Sequence, residues 1–169
     1  MSSSTAEEKR EAIVDGLRSR LQKMPDERFD DLYDPRAVGE NMAVFVPESP
    51  GAFSKIIGPV YSTRALTSLW SVSREAVSKR ARNGDLLVLK VEGENLFAVF
   101  QFDGAEVRQD VMAAVKAFGE HVDPFTIAQW LNTRQVSDGA RRTPIEMLNS
   151  GAFNEVVSAA RIASARWAA

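Results

Sequence analysis

The chain has 169 residues, 44% hydrophobic and 26% charged, which is enough apolar content for a core in one domain or two small ones. A net charge of −2 means that any surface for nucleic acid must be a local basic patch. The absence of cysteine excludes disulfides and thiolate metal sites, and the single histidine, His121, argues against a histidine metal site or a Ser/His/Asp triad.

Met1 to Ser4 reads as disordered. The opening MSSSTAEEKRE lacks the apolar core of a signal peptide, and no apolar run approaches the ~20 residues of a membrane span. A cytoplasmic location without membrane contact is expected. Thr5 and Glu8 form a capping box for a first helix, whose stripe is Ile13, Val14, Leu17, Leu21 and Met24. The helix should end near Met24, before Pro25. Its other face carries Glu7, Glu8, Lys9, Arg10 and Glu11. The stripe suits packing on its own domain or pairing with a second copy as a dimerisation helix, and the residues do not choose between them.

Pro25 to Val60 is interrupted by Pro25, Pro35, Pro47, Pro50 and Pro59 and predicts irregular packing. The acidic run Asp26, Glu27, Asp30, Asp31, Asp34 reads as a solvated face. Met42 to Val46 predicts a short strand. Ser49-Pro50 predicts the start of a brief helix carrying Phe53, Ile56 and Ile57, closed by Gly58-Pro59.

Between Tyr61 and Phe102 the pattern becomes specific. Ser62 can cap a helix from Thr63 to about Trp70, with Leu66 and Leu69 inward. Ser71-Val72-Ser73 makes a turn, and Ser73 caps a second helix, Arg74 to Arg82, ended by Asn83-Gly84. Asp85 to Val91 predicts a strand, Glu92 to Asn95 a turn, and Leu96 to Phe100 the return strand. Helix, tight turn, helix and hairpin make a winged helix-turn-helix, whose second helix enters the major groove. Basic residues concentrate on that helix while the chain is acidic. The candidate DNA contacts are Thr63, Ser73, Arg74, Glu75, Ser78, Lys79, Arg82 and Lys90, side chains suited to phosphates and base edges. The run Leu69-Trp70-Ser71-Val72-Ser73-Arg74-Glu75-Ala76-Val77 resembles the L-G-V-S-R-x-T-V of MerR- and excisionase-type proteins, with Ser71 in place of the turn glycine.

Val107 to Phe118 predicts a helix with Val107, Val111, Ala114, Val115 and Phe118 on one face. His121 reads as a solvated loop residue. Asp123-Pro124 starts another helix, on which Phe125, Ala128 and Leu131 recur at helical spacing. Asn132 to Arg142, with Gly139, reads as a polar surface loop. Thr143, Pro144 and Glu146 form a second capping box, and Gly151 can terminate that helix. Phe153 to Ala168 is the last helix. Its alanines permit close packing, and Trp167 near its end either folds back on the core or enters a partner's pocket.

Trp130-Leu131, Asn132-Thr133, Arg142-Thr143-Pro144, Glu146-Met147-Leu148 and Gly151 resemble the toxin-binding domain of the MbcA/ParS/Xre antitoxins. Arg134-Gln135 stands where that family favours Pro-Asn. The resemblance implies an antitoxin of a type II toxin–antitoxin pair. Its C-terminal domain would block a RES-domain toxin that degrades NAD, and its winged module would bind double-stranded DNA of its own promoter. On that reading Trp130, Asn132, Arg134, Arg141, Arg142, Arg161, Arg166 and Trp167 contact the toxin.

The expected fold is therefore mainly α with a small β-hairpin wing: a winged helix-turn-helix followed by an all-α helical toxin-binding domain. The expected boundaries are 1–60, 61–103 and 104–169, and the expected assembly is a homodimer. No catalytic constellation, metal site or cofactor is expected. A stand-alone DNA-binding transcriptional regulator without a toxin, or a pure interaction protein, are the competing classes.

Overall fold

A computed structural model describes residues 4–30, 32–49, 51–134 and 141–168, Ser54 by its backbone alone. The expectations for Met1 to Ser3, for Pro50 as a helix start, and for residues 135–140 of the polar loop lie outside the described residues. The chain divides into two compact units, Met1–Glu40 and Asn41–Ala169.

In the first unit, α1 spans Ala6–Leu21. The expected capping box is present: the Glu8 N–H donates to the Thr5 hydroxyl at 3.2 Å, and the Thr5 N–H donates to the Glu8 carboxylate at 2.7 Å. Regular helix stops three residues short of Met24. The chain tightens there into bonds from Lys23 to the Arg20 carbonyl and from Met24 to that of Leu21, because Pro25 keeps the residue before it out of helical geometry. Two short helices follow, α2 (Glu27–Asp30) and α3 (Pro35–Met42). This corrects the irregular reading of Pro25 to Val60. Pro35 opens a helix rather than interrupting one, and the Asp34 carboxylate accepts from the Ala37 N–H at 2.9 Å.

The second unit takes in the last two residues of α3 and then a 3₁₀ turn at Ala43–Phe45, where a strand was expected. An apolar run this short fits either period, and it carries on from α3 instead of pairing. A 3₁₀ turn (Gly51–Phe53) leads into α4 (Ser54–Ile57), closed by Gly58 at φ +70°. The sheet has three strands rather than two. Strand β1 (Val60–Ser62) pairs antiparallel with β3 (Glu94–Ala98), which pairs with β2 (Leu89–Val91), in the order β1-β3-β2. Val91 lies opposite Glu94, so the hairpin turn is only Glu92-Gly93, both at positive φ (51° and 84°). The return strand therefore starts two residues earlier than expected. The chain then makes a 3₁₀ turn at Val99–Gln101 and a second small hairpin, β4 (Phe102–Asp103) with β5 (Glu106–Val107).

Between β1 and β2 lie α5 (Thr63–Trp70) and α6 (Arg74–Arg82), with the expected serine caps. The rest is helical: α7 (Gln109–Lys116), α8 (Pro124–Asn132), α9 (Pro144–Asn149) and α10 (Phe153–Trp167). The fold is thus mainly helical with a small antiparallel sheet. One core cluster runs from Ile57 and Val60 through Leu89, Leu96 and Phe118 to Leu131 and Ala160. It passes through both the 61–103 and the 104–169 stretches. A smaller cluster of Leu66, Val77, Leu86, Phe97 and Phe102 joins α5 and α6 to the sheet. Among the described residues no helix is long and apolar enough to cross a membrane.

Candidate functional site

The α5–α6 pair is set by local chemistry at each end. The Ser62 hydroxyl accepts from the Ala65 N–H at 3.2 Å, and the Ser73 hydroxyl from the Ala76 N–H at 3.1 Å. Between the helices Ser71 takes the left-handed conformation, φ 52° and ψ 45°. A serine therefore does there what a glycine does at lower cost. Val77 is buried in the cluster with Leu66, Leu86, Phe97 and Phe102, against which Leu69, Trp70 and Val72 also pack, and this fixes the rotation of α6.

That rotation leaves Arg74, Glu75, Lys79 and Arg82 exposed, with Ser78 half-buried beside them. The three cations of this face make no ion pair among the described residues. Arg80 points elsewhere: its guanidinium lies 4.4 Å from the centre of the Trp70 ring, and the Trp70 N–H donates to the Ala105 carbonyl at 2.7 Å. Thr63 is half-buried at the start of α5, and Lys90 is exposed on β2.

The hairpin beside this face is acidic at its tip. Arg64 and Arg74 line a cleft of about 840 Å³ together with Glu48, Glu92 and Glu94. Carboxylates here repel phosphate, so cations on the outer turns of α6, Lys79 and Arg82, are better placed for a polyanion than the hairpin is. The alternation of Glu92 and Glu94 was legible in the sequence; their company with Arg74 comes from the sheet.

Two polar residues missed by the sequence reading hold this arrangement. Gln101 is fully buried. Its amide accepts from the Leu87 N–H at 2.9 Å and donates to the Leu87 carbonyl at 3.0 Å, taking the place of a strand partner. This ties the segment between α6 and β2 to the turn before β4. Arg108 bridges Asp110 (2.7 Å) and donates to the Asn149 side chain at 2.7 Å, joining α7 to α9. Burial alone would raise the Asp110 pKa, but its hydrogen bonds from Arg108 and the Val111 N–H, with the Arg108 charge, outweigh this and hold it below the usual range.

The residues expected at the C-terminal surface divide. Trp130 is buried, edge-on to Phe118 at 5.1 Å between ring centres. Asn132 is half-buried and donates to the Ala128 carbonyl at 3.0 Å. Arg142 is half-buried and donates to the Ser150 hydroxyl at 2.9 Å. Arg134, Arg141, Arg161 and Arg166 are exposed, with Arg141 at φ 55°. Trp167 stacks on Phe118 at 5.6 Å and 12° and remains 48% exposed. It folds back on the core, which was one of its two expected fates, and still offers an open face. Phe118 thus contacts both tryptophans. Nearby, the buried Ser164 hydroxyl lies 2.6 Å from the Phe118 carbonyl and 3.1 Å from His121 Nε2, so His121 is exposed yet tethered.

Among the described residues no group of three or more His, Asp or Glu is placed to hold a metal ion. Comparison with protein-family models, with curated proteins and with solved structures finds no significant match to this chain.

Proposed function

We propose that this chain is a DNA-binding antitoxin. On this reading α5 and α6 form a helix-turn-helix, β2 and β3 form its wing, and α6 reads the major groove of the chain's own promoter. The helices from α7 to α10 bind and block a RES-domain, NAD-degrading toxin. The observation that carries the DNA half is the outer face of α6, three exposed cations with no ion pair among the described residues, on a helix locked in rotation, in a chain of net charge −2. The toxin half rests on the resemblance around Trp130 to Gly151 and on the exposed Arg161, Arg166 and Trp167, residue types that dominate many interfaces.

A stand-alone DNA-binding regulator is the second reading. It is favoured by Trp130, Asn132 and Arg142, which are engaged inside the chain rather than offered outward.

The test of the first half is a salt titration of binding to duplex DNA from upstream of the gene. Arg74→Ala with Lys79→Ala should weaken binding at least about tenfold, and each lost phosphate contact should lower the salt slope by about 0.9. Equal affinity across the titration would remove α6 as the reader. The second half is tested by co-expressing the chain with the neighbouring reading frame and following cellular NAD. Arg166→Ala with Trp167→Ala should release NAD loss while DNA binding persists. An adjacent frame that never depletes NAD would leave the regulator.

A further inference from the structure

Among the described residues of the first unit none in α1, α2 or α3 is fully buried: Leu17, Leu21 and Met24 are half-buried, and Ile13 and Val14 stand 50% and 46% exposed. Val14, Leu17, Leu21 and Met24 recur in steps of three and four, the spacing of a coiled-coil seam, with Ile13 at its edge. Isolated helices shorter than about 12–15 residues are marginal in water, and α1, at 16 residues, is barely longer. Its stripe needs a cover.

The charges select the cover. Up to Asp15 the helix carries four carboxylates (Glu7, Glu8, Glu11, Asp15) against two cations (Lys9, Arg10). From Gly16 to Lys23 it carries Arg18, Arg20 and Lys23 and no carboxylate. A fitting surface is basic at one end, acidic at the other and apolar along a seam of the same length. A second copy of this helix running the opposite way meets all three demands. A parallel copy would set Glu7 against Glu7 and Arg10 against Arg10 on the seam, and would align the helix dipoles.

We propose that α1 pairs with α1 of a second copy of the chain in an antiparallel two-helix seam. Val14 then faces the partner subunit's Leu17, Arg10 lays its stem along the partner subunit's Leu21, and Glu11 flanks the partner subunit's Arg18. The pairing does not rest on the DNA or toxin readings, and failure of any one leaves the others standing.

The test uses the full chain. Sedimentation equilibrium should give a two-chain mass for wild type and a one-chain mass for Leu17→Asp. The thermal transition of the second unit should stay where it was, since neither of its core clusters contains a residue of α1. Arg18→Glu should shift the mass toward one chain, and Glu11→Arg with Arg18→Glu should restore it. Because the chain has no cysteine, Arg10→Cys and Leu21→Cys chains can be mixed and oxidised without background. They should link to each other and neither to itself. A one-chain wild type at every concentration, a two-chain Leu17→Asp, absence of charge rescue, or self-linked Leu21→Cys would each overturn the proposal. A one-chain wild type would also return the stripe to some other partner. If Leu17→Asp fails to fold, the charge and cysteine variants decide alone.

Discussion

Among single residues, Gln101 has the clearest consequence. Its amide is the one side-chain group type that donates and accepts at once in the geometry of a peptide. Gln101→Glu keeps the shape and the bond from the Leu87 N–H, but the carboxylate cannot donate to the Leu87 carbonyl. It also places a charge in a fully buried position. Gln101→Leu leaves both Leu87 groups unpaired, at about 1–3 kcal/mol each. Both variants should lower the denaturation midpoint, and the glutamate should recover part of the loss as the pH falls and its carboxyl protonates. Chemical denaturation at about neutral pH and at about pH 4 checks this, since an ordinary glutamate titrates near 4.3 and burial raises it further. A Gln101→Glu protein as stable as wild type at neutral pH would mean that the clasp contributes nothing. Trp130 and Trp167 show the other side of the residue scale. Both read as interface candidates in the sequence, yet one is buried and the other half-open, and both rest on Phe118, a contact that only the fold makes.

The elements that were legible in the sequence are those with signals at both ends. Helix α6 begins at a serine cap and ends at Asn83-Gly84, and its observed bounds match the expected ones. Helices α8 and α9 open on Asp123-Pro124 and on the Thr143–Glu146 box, as expected. The outward face of α6 was legible for the same reason, since once the start is fixed the 3.6-residue period gives the rotation. Strand β1 and the β4–β5 hairpin were not. Strands of two or three residues carry no period of their own and exist because a distant partner offers hydrogen bonds. The side-chain clasp across fourteen residues and the acid-lined cleft beside Arg74 have no local sequence signature either. The α5–α6 turn supplies a test of its own. Ser71 holds a left-handed conformation that costs an L-residue roughly 1–2 kcal/mol, much of which glycine avoids. Ser71→Gly should therefore raise the stability by up to about 1 kcal/mol and, on the proposed reading, leave DNA binding unchanged, and Ser71→Val should lower the stability. A destabilised Ser71→Gly would show that the hydroxyl matters more than the backbone strain.

At the scale of the molecule, the core of the second unit does not respect a division between a reading module and a C-terminal module. Ala160 lies in the same cluster as Leu89 and Leu96, and Ser164 and Trp167 close it over Phe118. Removing residues 161–168 should therefore not act on a tail alone. It should lower the single thermal transition of the whole second unit, by several degrees for each ~1 kcal/mol lost. Two separate transitions, with the earlier one alone displaced, would show that the modules melt independently. Point changes at Arg161, Arg166 and Trp167 are for this reason better probes of a partner surface than truncation. The stacking of Trp167 has a last consequence, in optical terms. The three tryptophans occupy three settings: Trp70 under the Arg80 guanidinium, Trp130 buried edge-on to Phe118, and Trp167 half-open and stacked on Phe118. Only the last presents a large face to a dissolved quencher, so emission of the native chain separates into a shielded and a reachable part. Whatever covers the end of α10 will dim or shift the reachable part first, and the chain thereby carries an intrinsic reporter at the surface where a partner is sought.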